Sequence, residues 1–315
     1  MSINATAKSP VIIPPEKAEH LARLTAIPKV AWPSVFLLGW IVVGVGTTDA
    51  LALAGLLPLW AACLLNIVWM WPSFHVLHDA LHGAISTNKR FNDLVGSVCL
   101  LFTFTEVTLS MFRMAHMIHH RFTNTDDDPD HYVFAKSWLM TIFRWMTFEY
   151  YYVWYNWRYG TPRARQLVKR NLLVVAVVLA VVAMLAVAGY GMEVLLLWFV
   201  PSRIVLTLIA CVFIWMPHLA EDRGGGLEHI HPARSSLDNL TAGTTMRLGH
   251  EGVLAPLLQW HNYHLIHHLW PSTPSYNMAR VWRLLEPELR ARDLHIQHGF
   301  ALRPKFYKAG STLSA

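Results

Sequence analysis

Charge is scarce in this chain: Asp, Glu, Lys and Arg together make up 15% of its 315 residues. Soluble domains carry about a quarter, so ordinary soluble folds are excluded. Cysteine is scarcer still. Cys63, Cys99 and Cys211 all lie in apolar stretches and read as small buried hydrophobes, which excludes a disulfide framework or a thiolate metal site. No Gly-rich dinucleotide fingerprint, haem motif or iron–sulfur motif occurs, so electrons for any redox chemistry must come from an external donor. The first thirty residues show no long apolar core with a small-residue cleavage site, and they read as a cytosolic tail rather than a secretory signal.

What the chain has in abundance is apolar. A hydrophobic fraction of 54%, with 14 Trp, 14 Phe and 10 Tyr, indicates an integral membrane protein. Four apolar runs, about 30–48, 56–77, 172–188 and 194–216, approach the length of about twenty residues that crosses a bilayer as a helix. Short links join them into two hairpins. Four basic residues precede the first run, 11 fall between Lys89 and Arg170, 10 follow His218, and neither link has any. The positive-inside rule therefore puts both termini and the central segment in the cytosol. The net charge of +6 has the same origin, so nucleic acid is not an expected partner.

Some segments depart from this plan. Arg203 lies inside the fourth run, which implies either a misplaced boundary or a side chain snorkelling to the outer interface. Leu94 to Phe104 is too short to cross and reads as re-entrant or interfacial. Trp138 to Tyr159, dense in Trp and Tyr around Arg144, Glu149 and Arg158, reads as an amphipathic helix at headgroup level. The expected organisation is all-α: a tail over 1–29, a membrane domain over 30–290 and a C-terminal tail over 291–315.

Histidine is the anomaly, with 18 residues against 20 acidic ones. Three clusters stand out: His78 with His82, His116 with His119 and His120, and His264 with His267 and His268. Residues three and four apart share a helix face, so each cluster can aim its imidazoles at one place. His218 follows the fourth run, and the predicted topology brings all four groups to one membrane face. Nine imidazoles exceed what one zinc takes and suit two first-row metals, although imidazole serves Fe, Cu, Ni and Zn alike. His20, His131, His229, His231, His250, His295 and His298 read as surface or packing residues. His75 and His261 each extend a cluster's face by one step and read as supporting or packing residues outside the ligand set. Asp79, Asp126, Asp127, Asp128, Asp130, Glu221 and Asp222 are near enough in sequence to accept the other ring N–H of a ligand, or simply to cap turns.

The order HxxxH, HxxHH, lone His, HxxHH resembles the membrane fatty acid desaturase and hydroxylase superfamily over about residues 30–290. That resemblance implies four spans in two hairpins and a cytosolic centre of two iron ions. The nine ligands it implies are His78, His82, His116, His119, His120, His218, His264, His267 and His268. His78 to Gly83, Thr125 to Asp130, Pro217-His218, Ala233 to Ser236 and Asn262 to Pro274 are similar to the carotenoid branch. The last string is closest to desaturase-type β-carotene hydroxylases, while the triple-Asp and Ala-Arg-Ser-Ser strings resemble β-carotene ketolases. Leu219 stands where carotenoid enzymes often have Arg, and Gly224 to Gly226 fits neither pattern. Acyl-CoA desaturases hold an iron-bound water with an Asn four residues before the lone histidine, where this chain has Ile214.

The reading these residues give is O2-dependent hydroxylation of a carotenoid β-ionone ring, as by a β-carotene 3-hydroxylase. The expected substrate enters from the bilayer, electrons come from a donor such as a ferredoxin, and the setting is a bacterial cytoplasmic membrane. The alternatives are a fatty-acyl desaturase or hydroxylase and a β-carotene ketolase. A divalent-metal transporter is remote, because transporter ligands lie near the bilayer midplane and these lie at run ends and in the segments between.

Overall fold

The protein's structure is a computed structural model that describes residues 11–103, 106–219 and 243–310. It is mainly helical. In chain order the helices are α1 (Pro15–Thr25), α2 (Trp32–Leu53), α3 (Leu59–Met70), α4 (Ser73–Leu81), α5 (Lys89–Thr103), α6 (Leu109–Phe122), α7 (Trp138–Trp145), α8 (Phe148–Arg158) and α9 (Pro162–Leu185). The chain continues through α10 (Gly191–Glu193) and α11 (Val200–Ile209), then α12 (Glu251–Leu257), α13 (His264–Leu269) and α14 (Met278–Arg290). The strings at 224–226 and 233–236, and Glu221, Asp222, His229 and His231, lie outside the described residues.

Among the described residues, three helical runs are long and apolar enough to cross a membrane: Trp32–Leu53, Leu59–Leu81 and Pro162–His218. Their outward faces are apolar, with Phe36, Trp40, Leu173 and Val187 all exposed, and such a surface needs a bilayer rather than water. The longest run is broken at Gly189, whose φ of 98° is open to glycine without a Cβ clash. Beyond the break the chain packs against α3. α2 extends to Leu53, past the expected end near residue 48, because Asp49 stays helical while accepting a hydrogen bond from Asn66 Nδ2 at 2.7 Å.

Proline placement shapes the last helical limb. Pro201 has no N–H for the carbonyl of Leu197 four residues back, and the backbone around it widens into a π turn, Val194–Phe199. Asn66 Nδ2 donates to that carbonyl at 2.8 Å, so α3 supplies the bond the proline withholds. A second π turn, Ala210–Trp215, precedes Pro217 and His218.

Arg203 is neither at a misplaced boundary nor reaching outward. Its guanidinium lies 2.5 Å from Glu149 on α8 and 2.6 Å from Glu106 ahead of α6, and both carboxylates are largely buried. A single cation thus ties the fourth apolar run to the two elements flanking the second histidine cluster. Asn171 on α9 reinforces the tie, accepting from Thr108 N at 2.6 Å and donating to the Glu106 carbonyl at 2.9 Å.

The all-α expectation needs one correction. Strands β1 (Thr245–Leu248), β2 (Leu294–His298) and β3 (Lys305–Tyr307) form a sheet, β1 parallel and β3 antiparallel to the central β2. Long-range pairing across some fifty residues leaves no local signal, and Leu294 to His298 is too short to stand out as an alternating pattern. The sheet joins α1, α13 and α14 in a second hydrophobic core around Met246, Ile266, Leu285 and Ile296. The terminal segments are therefore bound to the domain, and Lys17 on α1 pairs with Glu288 on α14 at 2.6 Å.

Arg203→Met leaves two buried carboxylates without their cation, and loss of one partner from a buried pair costs about 3–5 kcal/mol. The variant should show a clearly lowered thermal midpoint in detergent; an unchanged midpoint would mean that Arg203 does not carry this junction.

Candidate metal centre

The first histidine cluster sits at the end of α4, and the chain is built to stop there. Gly83 N donates to the Ala80 carbonyl at 3.2 Å and Ala84 N to that of Asp79 at 2.8 Å, a Schellman closure around the left-handed Gly83. Arg113, on α6 within the second cluster's helix, donates to the Ala80 and Leu81 carbonyls at 2.8 and 2.9 Å. The helix carrying one cluster therefore grips the helix end carrying another. Gly96 on α5 permits this close packing, since a Cβ there would lie 2.9 Å from both Ala80 Cβ and Leu109 Cδ1.

The structure brings all nine predicted histidines together, in two adjoining sets. His78, His82, His116, His120 and His267 form the first. Its Nε2 atoms approach one another at 2.9 Å (His82 to His116), 3.3 Å (His116 to His120) and 2.8 Å (His120 to His267), with the His78 ring 4.1 Å from that of His267. His119, His218, His264 and His268 form the second, with Nε2 separations of 2.8 Å (His218 to His264), 3.0 Å (His264 to His268) and 3.3 Å (His119 to His268). The second and third clusters contribute to both sets. On α6, His116 and His120 share one face while His119 turns to the other set; α13 divides His267 from His264 and His268 in the same way.

The tautomers are set from outside. His119 Nδ1 lies 2.9 Å from Asp128 and 3.3 Å from Asp130, and His218 Nδ1 faces the Gly243 carbonyl at 3.3 Å. An ionised carboxylate or a carbonyl only accepts, so both Nδ1 atoms carry the proton and both Nε2 atoms present lone pairs inward. Burial, and then the charge of neighbouring rings, keeps His116, His120, His264, His267 and His268 well below the usual histidine range, as neutral nitrogen donors. Asp128 is itself fixed by the backbone N–H groups of Asn124 at 2.7 Å and Asp130 at 2.9 Å, and Tyr152 donates to Asp130.

These residues fit a metal pair. Ring nitrogens converging to 2.8–3.3 Å can bind one ion between them, and His78 Nε2 is buried with no hydrogen-bond partner at all. Asp79 faces away from the imidazoles and serves helix packing. It accepts from Ser34 Oγ at 3.2 Å and Ser275 Oγ at 2.8 Å, joining α2, α4 and the turn after α13. His75 is a packing residue, with Nδ1 2.9 Å from the Gln259 carbonyl and Nε2 2.9 Å from Ser275 Oγ. His298 pairs with Tyr307 at 2.8 Å, on the sheet. A separate cavity of about 200 Å³, lined by Glu106, Val178, Val182, Leu195 and Trp198, contains no histidine and opens between the two limbs of the Gly189 hairpin.

Asp128→Asn keeps a polar side chain but removes the charge that holds His119. Loss of such a supporting partner costs about 10–100-fold in metal affinity. Chelator competition should show that loss at one of two sites, with the other unchanged; an unaltered affinity at both would remove Asp128 from this role.

The fatty acid desaturase family profile matches residues 54–300. The chain is also 24% identical over 250 residues to a β-carotene ketolase of Paracoccus sp. (strain PC1), covering 79% of this chain and 89% of that protein. It is 26% identical over 227 residues to a β-carotene ketolase of Paracoccus sp. (strain N81106 / MBIC 01143), covering 71% and 76%. With the profile spanning well over half its length, this chain belongs to the fatty acid desaturase family and is an integral membrane oxidoreductase of the oxygenase or desaturase type.

Proposed function

We propose that this protein is an O2-dependent carotenoid ring oxygenase. In this reading His78, His82, His116, His120 and His267 hold one iron ion and His119, His218, His264 and His268 the other. The observation that carries it is the pair of adjoining all-imidazole sets in a chain similar to β-carotene ketolases. A di-iron centre supplies the O2 activation and C–H cleavage that acid–base side chains cannot.

The chain's own residues do the rest. Asp128 and the Gly243 carbonyl hold His119 and His218 with their lone pairs inward, and Arg113 holds the first cluster's helix end against α6. Burial of seven of the nine rings, with His82 and His120 half-buried, keeps bulk water from the site. We place four crossings, the break at Gly189 dividing the longest run, with the termini and the centre on the cytosolic side of a bacterial membrane. The carotenoid enters from the bilayer, and an external carrier such as a ferredoxin supplies electrons.

Hydroxylation at the ring is supported by the Asn262 to Pro274 string, and ketolation by the ketolase relatives. Both begin by oxygenating a ring carbon; they differ in which carbon faces the metals and how many times it is oxidised. The acyl-CoA reading is disfavoured by Ile214, a buried hydrocarbon that cannot hold a water.

Expression in β-carotene-producing bacteria, followed by pigment chromatography and mass spectrometry, should yield hydroxylated or keto carotenoids. Unchanged pigment beside altered membrane acyl chains would move the substrate to lipids. His267→Ala should bring turnover to background with loss of metal, whereas His298→Ala should leave both intact.

A further inference from the structure

Beyond the nine, one more buried imidazole meets both sets. The His261 ring centroid is 5.1 Å from that of His78 and 6.0 Å from that of His267 in the first set, and 4.2 Å from that of His264 in the second. Its Nε2 is buried and has no hydrogen-bond partner. Its ring packs against that of Phe213, with centroids 4.4 Å apart.

A buried ring nitrogen without a partner is costly unless something binds it, and this one lies beside both sets. His75 makes the contrast, since both of its ring nitrogens are engaged by Gln259 and Ser275.

We propose that His261 is a tenth nitrogen donor of this centre, serving the ion of the His119, His218, His264 and His268 set. That set has four imidazoles against five in its neighbour, and His264 is the ring nearest to His261. The addition makes the two sets equal in nitrogen count. It rests on the di-iron reading above and goes beyond the nine-histidine pattern.

The test uses the full-length protein in detergent, titrated anaerobically with Fe(II) against a chromophoric chelator, with iron per chain measured by elemental analysis. His261→Phe keeps an aromatic ring of similar size but has no donor atom. It should weaken one of two ions at least about tenfold and leave the other unchanged; equal affinity to wild type at both sites overturns the proposal. His261→Cys supplies a second readout: loaded with Co(II), it should gain a near-ultraviolet thiolate-to-cobalt absorption that the Co(II)-loaded wild type lacks. Absence of that band from a variant that binds Co(II) also overturns it. Failure of the wild type to hold two ions would instead sink the metal-centre reading itself.

Discussion

The convergence of imidazole Nε2 atoms to 2.8–3.3 Å from four separate stretches of chain is the constraint on which much of this structure depends. Helix α4 ends at its cluster, α6 and α13 each divide their histidines between two sets, and His218 arrives from the last apolar limb. An acceptor at an imidazole's outer nitrogen keeps the proton there and leaves the inner nitrogen free to bind. Asp128 and the Gly243 carbonyl do this for His119 and His218. The backbone N–H groups that hold Asp128 extend the control one step further.

The same rule governs the apolar part. A backbone carbonyl or a charged group without water must find a partner inside the protein. Pro201 frees the carbonyl of Leu197 and Asn66 takes it; Arg203 has Glu106 and Glu149. These contacts tie helices that span apolar surface to those that bear histidines. The polar groups within the apolar runs thus fix how the scaffold is presented to the metal site, while the exposed Phe36, Trp40 and Val187 face lipid.

Much of this was legible in the sequence because it is local or compositional. A run of apolar residues is its own signal, and HxxxH or HxxHH carries its geometry in its spacing. Asp128 could be named as a candidate support because it lies nine residues from His119. Arg203 could be singled out but not explained: its partners stand 54 and 97 positions away, and only packing brings them near. The three-stranded sheet was hidden for the same reason, since β1 and β2 pair over some fifty residues and neither is long.

His75 and His261 mark the boundary most clearly. On spacing alone they are equivalent, each one helical step before a cluster. In the folded protein His75 spends both nitrogens on Gln259 and Ser275, whereas His261 lies between the two sets with its Nε2 buried and unpartnered. The sequence by itself determined that apolar helices would cross lipid and that histidine faces would be available to bind metal, because hydropathy and helical period act over a few residues. Only the tertiary structure decided which histidines converge in each set and which partner meets each ring, because hydrogen bonds of about 3 Å join elements that the chain separates by anything from nine to 200 residues.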